Sequence, residues 1–242
     1  MVWEAQVPNP ASVKSHAMTT VTDAVLSRMS ARAFTDQPVD PALVRRILTT
    51  ARQSPSGGNV QPWHVIALGG TELARLKAIM RDKLADPRAA GDGPEYPIYP
   101  RELGEPYRSR RFKCGEDMHG TMNIAREDKT SRYAFIAGNF QFWNAPVGLF
   151  MLIDRHMGPP QWSDLGMFMQ TVMLLAREAG LHTCAQEAWT NWHKTVGEFL
   201  GLPPERMVFA GLALGYRDES HPVNQLRTER ASLEEFVSFR GL

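Results

Sequence analysis

The chain has 242 residues, 43% of them hydrophobic and 22% charged, a balance that excludes disorder and fibrous architecture. Lys+Arg 27 against Asp+Glu 26 leaves a net charge of +1, which removes the electrostatic case for nucleic acid, although a few arginines can still hold a small anion. The 2 cysteines, Cys114 and Cys184, stand far apart with no metal-ligand spacing and read as reduced core thiols in a cytoplasmic setting. The longest uninterrupted apolar stretch, Val147 to Ile153, falls far short of the ~20 residues a bilayer helix needs, so no membrane partner is expected.

Residues 1–18 mix Glu4, Pro8, Asn9, Pro10, Lys14 and His16 with no apolar h-region, the pattern of a frayed arm rather than a secretory signal. A short helix is predicted from Thr22 to Met29. Asp40 as N-cap and Pro41 at the first helical position open a second, striped with Leu43, Val44, Ile47, Leu48 and Ala51. Ser54-Pro55-Ser56-Gly57-Gly58-Asn59 ends it. Trp63 to Leu68 reads as a strand, and Thr71 as the cap of a helix carrying Leu73, Leu76, Ile79, Met80 and Leu84.

From 86 to 120 prolines and glycines alternate with Tyr96, Tyr99, Tyr107 and Phe112, the composition of a lid or insertion with some helix around Tyr107 to Lys113. A helix over Ser131 to Trp143 ends at Ala145-Pro146, and the apolar run Val147 to Asp154 reads as a buried strand. Trp162 to Glu178 is a long buried helix stopped by Gly180. Leu181 to Trp189 reads as strand or strand–loop, Thr190 to Leu200 as helix, Met207 to Gly215 as buried strand, and Ser232 to Phe239 as a last short helix after a polar loop. The tally is one α+β domain over 1–242, without repeats.

Arg28 and Arg32 flank Ser30 near the start, and Arg227 and Arg230 lie near the end. If the ends meet, they form a guanidinium pocket matched to phosphate oxygens; apart, they are a solvated charged face. The string from Ser54 to His64 either cradles a flat or charged ligand or simply connects a helix to a strand. It is no P-loop, and no Gly-x-Gly-x-x-Gly opens a helix, so a Rossmann site is not expected. His64 fits a core or edge position. His182 and His193 lack partners at metal spacing, and Ser56 is in no nucleophile elbow, so neither metal nor hydrolytic triad is expected. Glu187 is either a surface charge or a polar group facing a ligand.

Taken together and in order, S-R-M-S-A-R-A-F, S-P-S-G-G-N-V-Q-P-W-H, G-L-H-T-C-A-Q-E-A-W and G-Y-R-D…N-Q-L-R-T-E-R resemble the FMN-dependent nitroreductase family, from about Thr20 to Phe239. The second string is the most specific. The resemblance implies an antiparallel-dominated mixed sheet flanked by helices, in an intertwined homodimer with FMN at the interface. Arg28, Met29, Ser30 and Arg32 look like the first flavin motif, with Arg28 and Ser30 toward the phosphate and ribityl end and Arg32 toward the N1/O2 edge. Pro55, Ser56, Gly57, Gly58 and Asn59 look like the stretch from the partner subunit packing on ring and ribityl chain. Gln186, Glu187 and Ala188 match the segment whose backbone meets flavin N5, and Arg227 and Arg230 the C-terminal phosphate clamp. Relatives often carry Pro at the position of Ala185 and Gly at that of Ala188, and some carry Lys for Arg32 or the C-terminal pair.

The implied activity is oxidoreduction with NADPH or NADH as hydride donor, in a ping-pong cycle that reduces small nitroaromatics to hydroxylamines. Arg32 would offset negative charge developing at N1/O2, favouring two-electron transfer. The same fold also serves quinone or enone reduction, reductive dehalogenation and flavin destruction, and a flavin-binding module without turnover would use the same pocket.

Overall fold

The computed structural model describes residues 19–86 and 91–242; the arm expected over residues 1–18 lies outside them. Helix α1 (Val21–Ser27) starts from a reciprocal cap in which the Thr20 hydroxyl accepts from Asp23 N–H and the Asp23 carboxylate accepts from Thr20 N–H. Helix α2 (Pro41–Ala51) follows Asp40, whose carboxylate accepts from Ala42 N–H at 2.8 Å. Strand β1 (His64–Gly69) passes directly into α3 (Gly70–Ala85). Thr71 is therefore not the cap: Gly70 makes the turn at φ 52°, which puts Gly69 in the capping position.

Helix α4 (Tyr107–Thr121) runs well past the expected Lys113. The Lys113–Asp117 ion pair spans one turn, and His119 is buried edge-on to Phe135 of α5 (Lys129–Ala137), so packing carries the helix through Gly115 and Gly120. The helix expected to reach Trp143 breaks at Gly138 into an aromatic 3-10 turn, Gly138–Asn144, with Phe142 and Trp143 at φ 50° and 52°. Strand β2 (Val147–Asp154) is as expected. Helix α6 (Pro159–Glu178) begins before Trp162 because Pro159 suits the first helical position. Strand β3 (His182–Gln186) leads into a 3-10 turn, Glu187–Asn191, which takes up Thr190 and Asn191 so that α7 spans His193–Leu200. After β4 (Arg206–Gly215) the chain carries two single turns, Pro222–Gln225 and Leu233–Glu235.

The sheet has the order β1-β2-β4-β3 with every neighbouring pair antiparallel. Among the described residues parallel pairing is confined to two isolated bridges, Ser30–Thr183 and Gly93–Trp192. Alternating β2 side chains feed two cores. Leu149, Met151 and Ile153 pack with α2 and α6 on one face; Phe150 and Leu152 pack with α3, α7 and the aromatic turn on the other. Trp189 is the hub of the second core, with Phe142, Phe150 and Phe140 rings at 4.8, 5.1 and 5.3 Å. Gly211 makes room for it: a Cβ there would stand 2.3 Å from Trp189 Cδ1. At Met151/Leu152 the register slips past Phe209, a bulge that releases the Phe209 carbonyl to accept the Tyr96 hydroxyl at 2.6 Å.

Candidate active site

The basic segment after α1 lies against β3. Ser30 bridges Thr183, Ala31 N–H donates to Thr183 O at 3.0 Å, and Arg28 and Arg32 lie within electrostatic reach of the Cys184 thiol. Burial pushes that thiol up despite the two cations. Buried Asn224 ties this segment to the C-terminal region: its side-chain oxygen accepts from Arg32 N–H at 2.9 Å, and its amide donates to the Ala33 and Asp218 carbonyls at 2.8 Å each. The two ends of the chain thus meet.

They bring Arg227 to Met29, with Nη1 3.4 Å from the thioether sulfur, and Arg217 Nη1 reaches the same sulfur at 3.0 Å. Burial first, and then Arg177, Arg217 and Arg227, pull the His182 imidazole down to about 4, opposed among the described residues by Glu219. Arg230 sits elsewhere. Its guanidinium donates to Thr228 O and Oγ1 and to Glu229 O, and it lines a groove of about 300 Å³ with Ser109, Arg110 and Lys113 of α4. Among the described residues no hydrogen bond joins it to Arg28 or Ser30. Of the two C-terminal arginines, Arg227 is brought to Met29 of the first basic segment and Arg230 to the groove beside α4.

The second predicted string forms an exposed turn. Gly57–Asn59 is one 3-10 turn with Gly58, Asn59 and Gln61 at φ 56°, 55° and 51°. Gln61 N–H donates to Ser56 Oγ at 2.9 Å, and Gly57 N–H donates to the buried Asp164 carboxylate of α6 at 3.2 and 3.3 Å. Pro55 is exposed before it. Among the described residues no hydrogen bond connects this turn to the Arg28–Arg32 segment.

The third string splits by side. Gln186 turns inward, 2% exposed, its amide donating to Asn139 O at 2.8 Å while its oxygen accepts from Trp189 Nε1 at 3.4 Å. Glu187 turns outward with Ala185, and partial desolvation pushes its carboxyl up. The first N–H groups of the Glu187–Asn191 turn have no partner inside it. This turn is clamped by residues 91–96. Asp92 N–H donates to Asn191 O at 2.7 Å and its carboxylate caps α7 at Thr195 N–H, 2.8 Å; Glu95 N–H donates to Thr190 O at 3.1 Å. Glu95 pairs with Arg155, and Tyr96 stacks on Phe209 at 5.6 Å and meets Trp162 at a tilt, 5.1 Å between centroids. Burial raises the Tyr96 phenol, so it stays a hydrogen-bond donor. The first part of the expected lid is thus fixed to the body.

Sequence reasoning missed Asn224, the Arg177–His182–Arg217 group, Asp92 and Asp164. His182, Arg217 and Asn224 lie inside the third and fourth strings without a role read for them, and Asp164 is a lone acid inside the apolar run of α6. A groove of about 950 Å³ runs along β1 between α2 and α3, and none of the predicted site residues lines it. Its Lys77 ammonium donates to Ala145 O at 2.9 Å and is brought down to about 8 by burial.

A family model described as the nitroreductase family matches residues 25–216. The chain belongs to the nitroreductase family. A nitrobenzene nitroreductase of Ectopseudomonas oleovorans is 36% identical over 221 residues, covering 90% of this chain and 96% of the relative. The crystal structure of the FMN- and NADPH-dependent nitroreductase NfnB from Sphigopyxis sp. strain HMH matches with a TM-score of 0.89 and 43% identity, over 92% of this chain and 100% of that one. The FMN-dependent NfnB of Mycobacterium smegmatis, solved in complex with NADPH, matches at 0.85 and 26% identity, over 90% and 97%. The nitroreductase fold is shared over almost the whole described chain. Among the described residues no helix is long and apolar enough to cross a membrane.

Proposed function

We propose that this nitroreductase-family chain is an FMN-dependent oxidoreductase that takes hydride from NADPH and reduces nitroaromatic compounds. The observation that carries the reading is the arrangement along β3. The basic Arg28–Arg32 segment lies at its start and the Glu187–Asn191 turn at its end. The rise from Thr183 to Glu187 is ~13 Å, the scale of a flavin mononucleotide from phosphate to ring.

The donor set fits that group. Arg28, Ser30 and Arg227 offer charge-assisted donors for a phosphate, in a region where, among the described residues, Glu219 is the acid opposing the arginines around His182. The exposed face at Ala185 and Glu187 offers room for a flat ring, with the backbone of Glu187 and Ala188 beside its N5 edge. Arg32 offsets negative charge at the N1/O2 edge, and Arg230 adds charge at the outer rim of the phosphate site. The exposed Ser56–Asn59 turn stands apart from its own chain's Arg28–Arg32 segment and serves the site of the second subunit in a homodimer. Relatives named for FMN, NADPH and nitrobenzene support the same cofactor, donor and substrate class. The free thiols Cys114 and Cys184 accord with a cytoplasmic location.

FMN held by these residues would supply two-electron chemistry, taking hydride from NADPH and giving it to the acceptor in turn. Two such hydrides with two protons take a nitro group through nitroso to hydroxylamine with loss of one water. The protein supplies binding, orientation and charge rather than a nucleophile. Residues 86–120 select the acceptor, anchored at 91–96 and closing with the stretch between Tyr96 and α4. Initial rates with NADPH and nitrobenzene, plotted as double reciprocals, give parallel lines if donor and acceptor take turns; intersecting lines contradict that alternation.

A further inference from the structure

The strongest unassigned feature is Asp164. It sits on α6, 5% exposed, in a helix whose other buried positions are apolar. Among the described residues its carboxylate meets no cation and accepts from a single donor, Gly57 N–H, at 3.2 and 3.3 Å. A carboxylate removed from water with one weak neutral donor is costly, and a leucine in its place would pack without that penalty. The group it holds is unusual as well. Ser56 to Gln61 is an exposed turn with non-glycine Asn59 and Gln61 in the left-handed region, a conformation that persists only where the surroundings impose it. The turn's other hydrogen bonds among the described residues are local: Gln61 N–H on Ser56 Oγ, Gln61 Nε2 on Asn59 O, Asn59 N–H on Ser56 O and Val60 N–H on Gly57 O. Asp164 is the tie between the turn and the rigid body.

We propose that Asp164 is a positioning residue: it holds the Ser56–Asn59 turn, through Gly57 N–H, in the shape that packs on the flavin ring and ribityl chain. The proposal rests on the reading of that turn as a flavin-binding element. Asp164 acts on the hydrogen bond and not by its charge, so an amide at the same place preserves the effect. Because the turn meets ring and ribityl chain, loss of the tie weakens FMN and riboflavin equally. Loss of a phosphate contact weakens FMN alone.

The test is flavin affinity of the full-length apoprotein, followed by flavin fluorescence, with FMN and with riboflavin, alongside the thermal midpoint. D164A lowers the affinity for both flavins by about fivefold, the loss expected of one ordinary hydrogen bond, while D164N stays within about twofold of the parent. If D164A does not fold, D164S, whose shorter side chain cannot reach Gly57 N–H, gives the same reading. Parental affinity for both flavins in a D164A that only melts earlier overturns the proposal, as does a D164N as weak as D164A. N59A separates the two layers. If N59A weakens both flavins and D164A does not, the positioning claim alone fails; if neither does, the flavin reading of the turn fails with it.

Discussion

Arg28 and Arg230 carry the same charge but stand in different surroundings, and that difference is measurable. Arg28 is half-buried beside β3, whereas Arg230 is exposed and turned to its own Thr228 and Glu229 oxygens. R28A is expected to weaken FMN binding by roughly 1.5–3 kcal/mol, the value of a charge-assisted contact, and R230A by less; equal losses in fluorescence titration would show that Arg230 swings in to share the phosphate. His182 makes a second residue-scale prediction. Buried, and faced by Arg177, Arg217 and Arg227 with Glu219 opposing, it holds its proton far less readily in the fold, at about 4, than at its ordinary 6.5. Between those values the unfolded chain binds the extra proton, so stability falls as pH drops through that window and levels off below it, by up to ~3 kcal/mol. Urea unfolding from pH 7 to pH 4 shows this loss in the parent, and His182→Gln removes this share of it; an unchanged slope in the variant contradicts the assignment.

At the scale of elements, the turn after β3 is positioned from both sides. Trp189 plugs it into the core over Gly211, and residues 91–96 clamp it from outside. Gly211→Ala sets a methyl against the indole, and overpacking of this kind costs about 1–3 kcal/mol, read as a lower urea midpoint. Asp92→Ala removes the cap at Thr195 N–H, worth ~1 kcal/mol, and is expected to speed amide exchange across 190–195 while β2 stays protected. Uniform protection in that variant would mean the clamp does not set the turn. These elements also show what the sequence disclosed. Capping by Asp40 and Pro41 and the apolar run of β2 are local signals, and both elements lie as read. The break at Gly138 is set by Trp143 folding back over it within the same turn, and the extension of α4 to Thr121 by Phe135 packed from α5, neither of which the apolar periodicity announces. The same holds for the site. Arg28, Ser30 and the Ser56–Asn59 turn stood out as strings, while Asn224, Arg217 and Asp92 gain meaning only once distant segments are brought together.

For the whole molecule, the segments proposed to hold the flavin lie on separate surfaces of one chain. The Arg28–Arg32 segment and the Glu187–Asn191 turn share β3, and the Ser56–Asn59 turn lies apart from them; the proposed flavin site therefore calls for a second copy. Val21, Leu26, Phe236 and Phe239 are large apolar side chains left in water at 75%, 78%, 69% and 62% exposure, a surface suited to burial between subunits. Sedimentation is expected to show a dimer that loses FMN when diluted to monomer; FMN retained by a monomer would refute the shared site. The most direct test of the central claim is the anaerobic visible spectrum of the purified protein, recorded before and after NADPH and then after nitrobenzene. The account predicts a yellow protein with about one FMN per chain, bleached by NADPH and restored by nitrobenzene. A protein that stays colourless with added FMN, or a yellow one that NADPH does not bleach, would contradict it.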